Sequence, residues 1–551
     1  SKISDNEWRN IMTVGLTTGL LAECYSKIRE NLLTNVSVDD HVATYIGEHG
    51  ETYAEPEFTG KYIDICMQYV KREGVCSPFS GFAKRVIGSV LANQKTDGDL
   101  SCLENGKGWF SVWNQTFTVL GMISYYDVTN DKTVLLAAEK CADRIINQYS
   151  GDDLPSILDS VNDGSEHLSF ILPLVLLFER TGKTIYLSFL KRLFEYLETT
   201  DMNLLSFGNI LKLRSRKGIE MLIIFSGVAE FGRVTGDMRY PEAAARYWKQ
   251  VNQFQIRNTG NGTIDEKWCE NGNAPANIPT EAKPNETCVA VGFLELALKL
   301  FDCFGEAVYL DAIEKALFNH ILGAMDAGGR DFAYYQGNYG VKIFRKAGGL
   351  YQCCRYRGYS LFAHLPEMLY RRSGNVITPI IYASSRLECE DLSLTQATAY
   401  PGNGTVDFDV RSESPMELKL RIPVWCKAYR VYLNGNQIDI DADNCFALLP
   451  LSAGANLVRL EFDTDIVTEY GEIDGKKYAA FSRGALLLAE DSCRCNGMTS
   501  FNGGVFTELP TQEKCIFAAS CGKLVLTDYS SAGRKHPGTD TFRVWIPVEN
   551  E

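Results

Sequence analysis

Residues 231–246 read FGRVTGDMRYPEAAAR, and the fold turns on this stretch. An amphipathic helical run, Ile219–Phe231, leads into it. Gly236 then supplies a residue that can turn left-handed, and a new helix restarts a few residues on. Three other segments have the same form: YYDVTNDKTVLLAAEK (125–140), FERTGKTIYLSFLKR (178–192) and FDCFGEAVYLDAIEK (301–315). Their corner residues Asn130, Gly182, Gly236 and Gly305 lie 52, 54 and 69 residues apart, too irregular for a solenoid of short repeats. About six such helical hairpins bury both of their faces if they close into a ring. The expected N-terminal unit, residues 1–373, is therefore an (α/α)6 toroid, which by fold analogy often holds a sugar in its mouth.

Beyond Ser373-Gly374-Asn375 the pattern changes to short alternating runs such as VITPIIYA, GTVDFDV, MELKLRIPVWC and ANLVRLEF, with turns marked by Pro401-Gly402 and Asn434-Gly435. This half reads as antiparallel β-sandwich, divided as 374–470 and 471–551. The whole is a multidomain α + β chain whose halves pack together.

Composition narrows the function. The 55 basic and 69 acidic residues give a net charge of −14, which argues against a phosphate-binding face for nucleic acid. No apolar run approaches the ~20 residues that cross a bilayer, and Ser1 opens no signal-like pattern. The 17 cysteines are odd in number and spread along the chain, which suits a reducing compartment. The expectation is a soluble, cytoplasmic protein, possible as a homodimer, with no nucleic-acid or membrane partner and a neutral or weakly charged substrate.

Among the cysteines, Cys353 and Cys354 are adjacent in GGLYQCCRYRGYSLFAHLPEMLY, and Cys288 follows a carboxylate in NETCVAVGF. Glu286, Cys288, Cys353 and Cys354 form a set of the kind a tetrahedral zinc ion accepts. The competing reading is cysteine as a small buried apolar residue and Glu286 as a helix cap.

In consistent order from GEHGETYAEPEFTGKY to about residue 490, the segments NETCVAVGFLELALKLF, YLDAIEKALFNHILGAMDAGGRDFAYYQ, the Cys-Cys run and MELKLRIPVWCKAYRVYLNG resemble glycoside hydrolase family 127, the β-L-arabinofuranosidases and their relatives. The resemblance implies that Glu286, Cys288, Cys353 and Cys354 ligate Zn2+ and that Cys353 is the nucleophile. It places the general acid/base 16 residues before the ligating Glu, at Glu270, on a gapless count that keeps Pro279 in register. By itself Glu270 reads as one of several surface charges beside Asp265 and Glu266.

Departures from the family concern the sugar contacts. Lys217 and Asn114 stand where histidines are expected, and His167 remains a candidate contact. Arg355-Tyr356-Arg357 replaces Pro-Pro-Asn after the cysteine pair. Arg355 and Arg357, with Lys217, therefore point either to a carboxylated sugar or to pairing with acidic loops such as Asp265–Glu266. The function expected is a zinc-dependent, retaining exo-glycosidase that removes a terminal furanose, most simply β-L-arabinofuranose, from plant-type glycans. The alternatives are a glycan-binding protein with a structural zinc and a relative acting on a different, carboxylated sugar. A toroid hydrase or epimerase using paired carboxylates or histidines ranks last, since the chain has only six histidines and no clear catalytic pair.

Overall fold

A computed structural model describes residues 12–276, 283–344, 352–495, 499–511 and 515–549. Pro279 lies outside the described residues. Twelve of the described helices build the ring. They are α1 (Gly19–Thr34), α2 (Glu55–Glu73), α3 (Pro78–Asn93), α4 (Ser111–Thr129), α5 (Lys132–Gln148), α6 (Ile171–Thr181), α7 (Thr184–Leu197), α8 (Gly218–Thr235), α9 (Arg239–Phe254), α10 (Thr287–Phe304), α11 (Ala307–Lys315) and α12 (Cys353–Met368).

The even-numbered helices form the inner wall. Each packs on the next, and α12 packs back on α2, so the ring closes. Inner helices such as α2, α8 and α10 are buried over most of their length. Outer helices keep one wet face: α9 buries Tyr240, Ala244, Trp248 and Val251 and exposes Glu242, Arg246 and Lys249. The corners are as the sequence predicts. Asn130, Gly182, Gly236 and Gly305 all have left-handed φ, between 56° and 72°, and the N–H of each returns to the carbonyl four residues back.

After α12 the chain turns to β structure. A seven-stranded sheet and a four-stranded sheet form a sandwich over 370–462, and a further sheet occupies 466–547. Two strands cross the expected boundaries. Thr13–Leu16 pairs antiparallel with Ser385–Glu388, and Tyr339–Val341 pairs with Thr541–Arg543. The helical and β parts are thus joined by shared sheets. No described helix is long and apolar enough to cross a membrane.

Candidate functional site

The inner helices start at one end of the ring, and side chains from their first turns converge on a cavity of about 360 Å³. Glu57 and Lys61 come from α2, Trp113 from α4, Lys217 and Glu220 from the start of α8, Glu286 and Cys288 from α10, and Cys353 and Arg357 from α12. Glu166 comes from a single helical turn just ahead of α6. Helix N-termini carry partial positive charge, so this end of the ring favours carboxylates and thiolates.

At the base of the cavity the ligand atoms of Glu286, Cys288, Cys353 and Cys354 all lie within 4.8 Å of one another, a set that could hold one metal ion. The Sγ atoms are 3.2 Å (288–354), 3.4 Å (288–353) and 4.0 Å (353–354) apart, and Glu286 Oε1 lies 4.0 Å and 3.9 Å from those of Cys353 and Cys354. The adjacent pair works because Cys353 opens α12 while Cys354, one residue further round the helix, reaches the same point from its buried face. The Glu286 carbonyl accepts from Asn261 Nδ2 at 2.8 Å, and Thr287 Oγ1 donates to Ala333 O at 2.6 Å, which fixes the start of α10. Glu286 Oε2 is buried and has no hydrogen-bond partner among the described residues.

Burial pushes the Cys288 and Cys354 thiols up. Cys353 is held well below the usual thiol range by donation from Cys288 and Cys354, with Lys61 and Tyr334 acting in the same direction. Tyr334 Oη sits 3.1 Å from Cys353 Sγ. Within the cluster, Cys353 is therefore the thiol that ionises first.

Glu266 is one of the carboxylates that line the cavity with this cluster; Glu270 is exposed and is not among the lining residues. The gapless count fails for a local reason. Asp265 and Glu266 both have left-handed φ (49° and 66°), and Ile264 bridges to Lys267, so the chain reverses tightly there. That turn directs Glu266 inward. Trp268 is then buried and bonded through Nε1 to Tyr247 Oη, and the Cys269 N–H is fixed by Gln255, so Glu270 follows on the outside. Both Glu266 oxygens are held: Lys217 Nζ lies 2.6 Å from Oε2, and Tyr335 Oη donates to Oε1.

Of the expected sugar contacts, the structure brings only Lys217 to the cavity. Burial would lower its ammonium, but Glu220, Glu286 and Glu266 outweigh that and hold it well above the usual lysine range. Asn114 is buried on α4, where its amide donates to the carbonyls of Tyr53 and Ser101. His167 is buried against Tyr149, with Nδ1 3.1 Å from its hydroxyl, and burial pushes its imidazole down to about 4. Arg355 is buried in an ion pair with Asp331 at 2.9 Å, one face of α12 away from the cavity that Arg357 reaches. Sequence reasoning assigns no site role to Glu57, Glu166, Glu220, Glu266 or Tyr334, while Arg357 is one of the two added cations after the cysteine pair. Their common signal is a position in or near the first turn of an inner helix, or in the loop feeding one.

Comparison with known proteins agrees with this arrangement. The family model described as "Beta-L-arabinofuranosidase, GH127 catalytic domain" matches residues 27–367, and that for the GH127 middle domain matches 377–462. A non-reducing end β-L-arabinofuranosidase of Bifidobacterium longum subsp. longum is 21% identical over 392 residues, 62% of this chain. The chain spans 59% of that relative's length. A crystal structure of a family 127 β-L-arabinofuranosidase from Geobacillus stearothermophilus T6 superposes with a TM-score of 0.76 at 17% identity, over 98% of this chain and 100% of the other. A second family 127 β-arabinofuranosidase gives 0.79 at 18%, over 97% and 96%.

Proposed function

The chain belongs to glycoside hydrolase family 127, and on that premise we propose that it is a retaining exo-glycosidase. It removes a terminal furanose-type sugar, most simply β-L-arabinofuranose, from plant-type glycans. The observation that carries this reading is that Cys353 and Glu266 line one cavity of about 360 Å³. That volume is at the small end of the ~300–1,000 Å³ common for ligand sites, suited to an end sugar rather than a threaded chain.

Zinc is the metal this donor set favours, since three thiols and one carboxylate match its softness and coordination number. Tetrahedral bonds of ~2.3 Å would put ligand sulfurs about 3.8 Å apart, close to the 3.2–4.0 Å between the three Sγ atoms. Glu286, Cys288, Cys353 and Cys354 would hold the ion, and when bound it would keep their thiols ionised at neutral pH.

Cys353 at the cavity floor attacks the anomeric carbon, forming a C–S bond as the glycosidic C–O bond breaks. Glu266 gives a proton to the departing oxygen. In the second step Glu266 takes a proton from water, whose oxygen displaces sulfur and regenerates the Cys353 thiolate. Two displacements at one carbon retain its configuration, with sulfur in place of the usual second carboxylate. Tyr334 holds the Cys353 sulfur and Tyr335 holds Glu266, and their rings lie 4.6 Å apart, so neighbouring residues align the two reacting groups.

The test is to incubate zinc-replete protein and its Cys353→Ser variant with aryl furanosides, following aryl release and the anomeric configuration of the sugar. Release by the parent alone, with retention, supports the reading. No release from any furanoside by protein holding one zinc per chain sinks it.

A further inference from the structure

The cavity wall formed by Glu166 and Glu220 has no role in that mechanism. Both residues are buried, at 2% and 4% exposure. Asn162 Nδ2 ties them together, donating to Glu166 Oε1 at 3.0 Å and Glu220 Oε1 at 3.3 Å. Lys217 Nζ lies 3.5 Å from Glu220 Oε1. The second oxygen of each carboxyl, Glu166 Oε2 and Glu220 Oε2, has no hydrogen-bond partner among the described residues. Both residues line the cavity.

We propose that Glu166 and Glu220 are the specificity-determining wall of this cavity, hydrogen-bonding to two neighbouring hydroxyls of an uncharged sugar and excluding sugars that carry a carboxylate. The proposal rests on reading the cavity as a glycoside site and names the class of sugar it takes.

Buried carboxyl oxygens without partners are costly, and a pair of them on one wall is completed by a ligand that brings two groups at matching spacing, each able to donate or accept a hydrogen bond. A vicinal diol does this. The charges lining the cavity decide against a uronic acid. Lys61 is taken by Glu57, Lys217 by Glu266 and Glu220, and Arg357 by Glu295. Among the described residues lining the cavity, each cation already has a carboxylate partner, and an incoming carboxylate would face Glu220 and Glu266. Burial, then Glu220, pushes the Glu166 carboxyl up to about 9, so Glu166 keeps its proton at neutral pH.

The experiment compares the parent with Glu166→Gln, Glu220→Gln and the double variant, each checked for an unchanged circular dichroism spectrum. Calorimetric titration with L-arabinose, D-galacturonate and a neutral methyl pentofuranoside reads binding without turnover, and kcat and KM are measured on an aryl furanoside. The expected result is that the parent binds the neutral sugars at least 10-fold more tightly than the uronate. The Gln variants should raise KM about 10-fold or more, with a smaller change in kcat, and should narrow the neutral-over-uronate preference. Equal binding of uronate and neutral sugar by the parent, unchanged neutral-sugar binding in both single variants, or no sugar binding at all would overturn the proposal. Loss of sugar binding in the variants of a parent that hydrolyses nothing would uphold this wall and refute the hydrolase reading instead.

Discussion

Lys217 Nζ lies 2.6 Å from Glu266 Oε2, and this ion pair ties the residue that precedes an inner helix to a carboxylate lining the same cavity as Cys353. Of the cations found in the sequence, Lys217 pairs with an acidic loop and Arg355 with Asp331, as the pairing reading of these cations expects.

The placement of Glu266 gives the sharpest prediction. Glu266→Ala should lower kcat/KM on an unactivated glycoside by about 10²–10⁴-fold, the range of general acid–base catalysis. With an aryl leaving group that needs no proton, azide should restore turnover and yield a glycosyl azide of retained configuration. Glu270→Ala, at an exposed position, should stay within about 2-fold of the parent. The opposite pattern would return the acid/base role to Glu270.

The metal cluster makes a prediction that does not depend on turnover. Chain folded in zinc should hold one ion, read by mass spectrometry. Cys288→Ser and Cys354→Ser, each removing a buried thiol, should lose it and lower Tm, because binding energy of a site assembled by folding is also stability. A parent that binds no zinc at micromolar concentration would refute the metal assignment.

Glu166 sets a pH dependence of stability. Between pH 7 and 9 the folded chain keeps the proton that the same carboxyl gives up when unfolded, since its folded value is about 9. The folded state then binds more protons, so stability falls as pH rises through this window. The buried imidazoles of His41, His167 and His320 are pushed down to about 3, 4 and 3, so they are neutral when folded, and their opposite contribution to the slope fades as the unfolded imidazoles lose their protons above pH 7. Glu166→Gln should flatten the fall, leaving the variant more stable than the parent at pH 8.5 by on the order of 1–3 kcal/mol. Thermal melts of both proteins across pH 6.5–9 check this, and parallel curves would contradict it.

Particular residues show what could be read from the sequence alone. Asn130, Gly182, Gly236 and Gly305 were legible because left-handed φ is a local demand that few residue types meet. Cys353 and Cys354 were legible because adjacency at a helix start brings both thiols to one point. Glu270 was misplaced because a count along the chain cannot register the reversal at Asp265 and Glu266. His167 and Asn114 failed similarly: the residue type fitted, but one step along the helical turn carries Glu166, not His167, into the cavity. The strand Thr13–Leu16 was hidden because its pairing partner Ser385–Glu388 lies over 360 residues away.

The joint between the helical ring and the β sandwich gives the last prediction. Arg421, on a sandwich strand and 1% exposed, reaches Asp311 on α11 at 2.7 Å and also bonds Glu314. Glu314 in turn accepts from Trp425 Nε1 at 2.9 Å and from Tyr400. One arginine thus neutralises two carboxylates inside a buried joint, and removing it leaves them unpaired. Arg421→Ala should cost about 3–5 kcal/mol, the usual consequence of stranding buried charge. Adding Asp311→Asn and Glu314→Gln to that variant should recover part of the loss, because the stranded charges are then gone. Denaturant melts of the single and triple variants test the coupling, and equal losses in both would mean that Arg421 acts by packing alone.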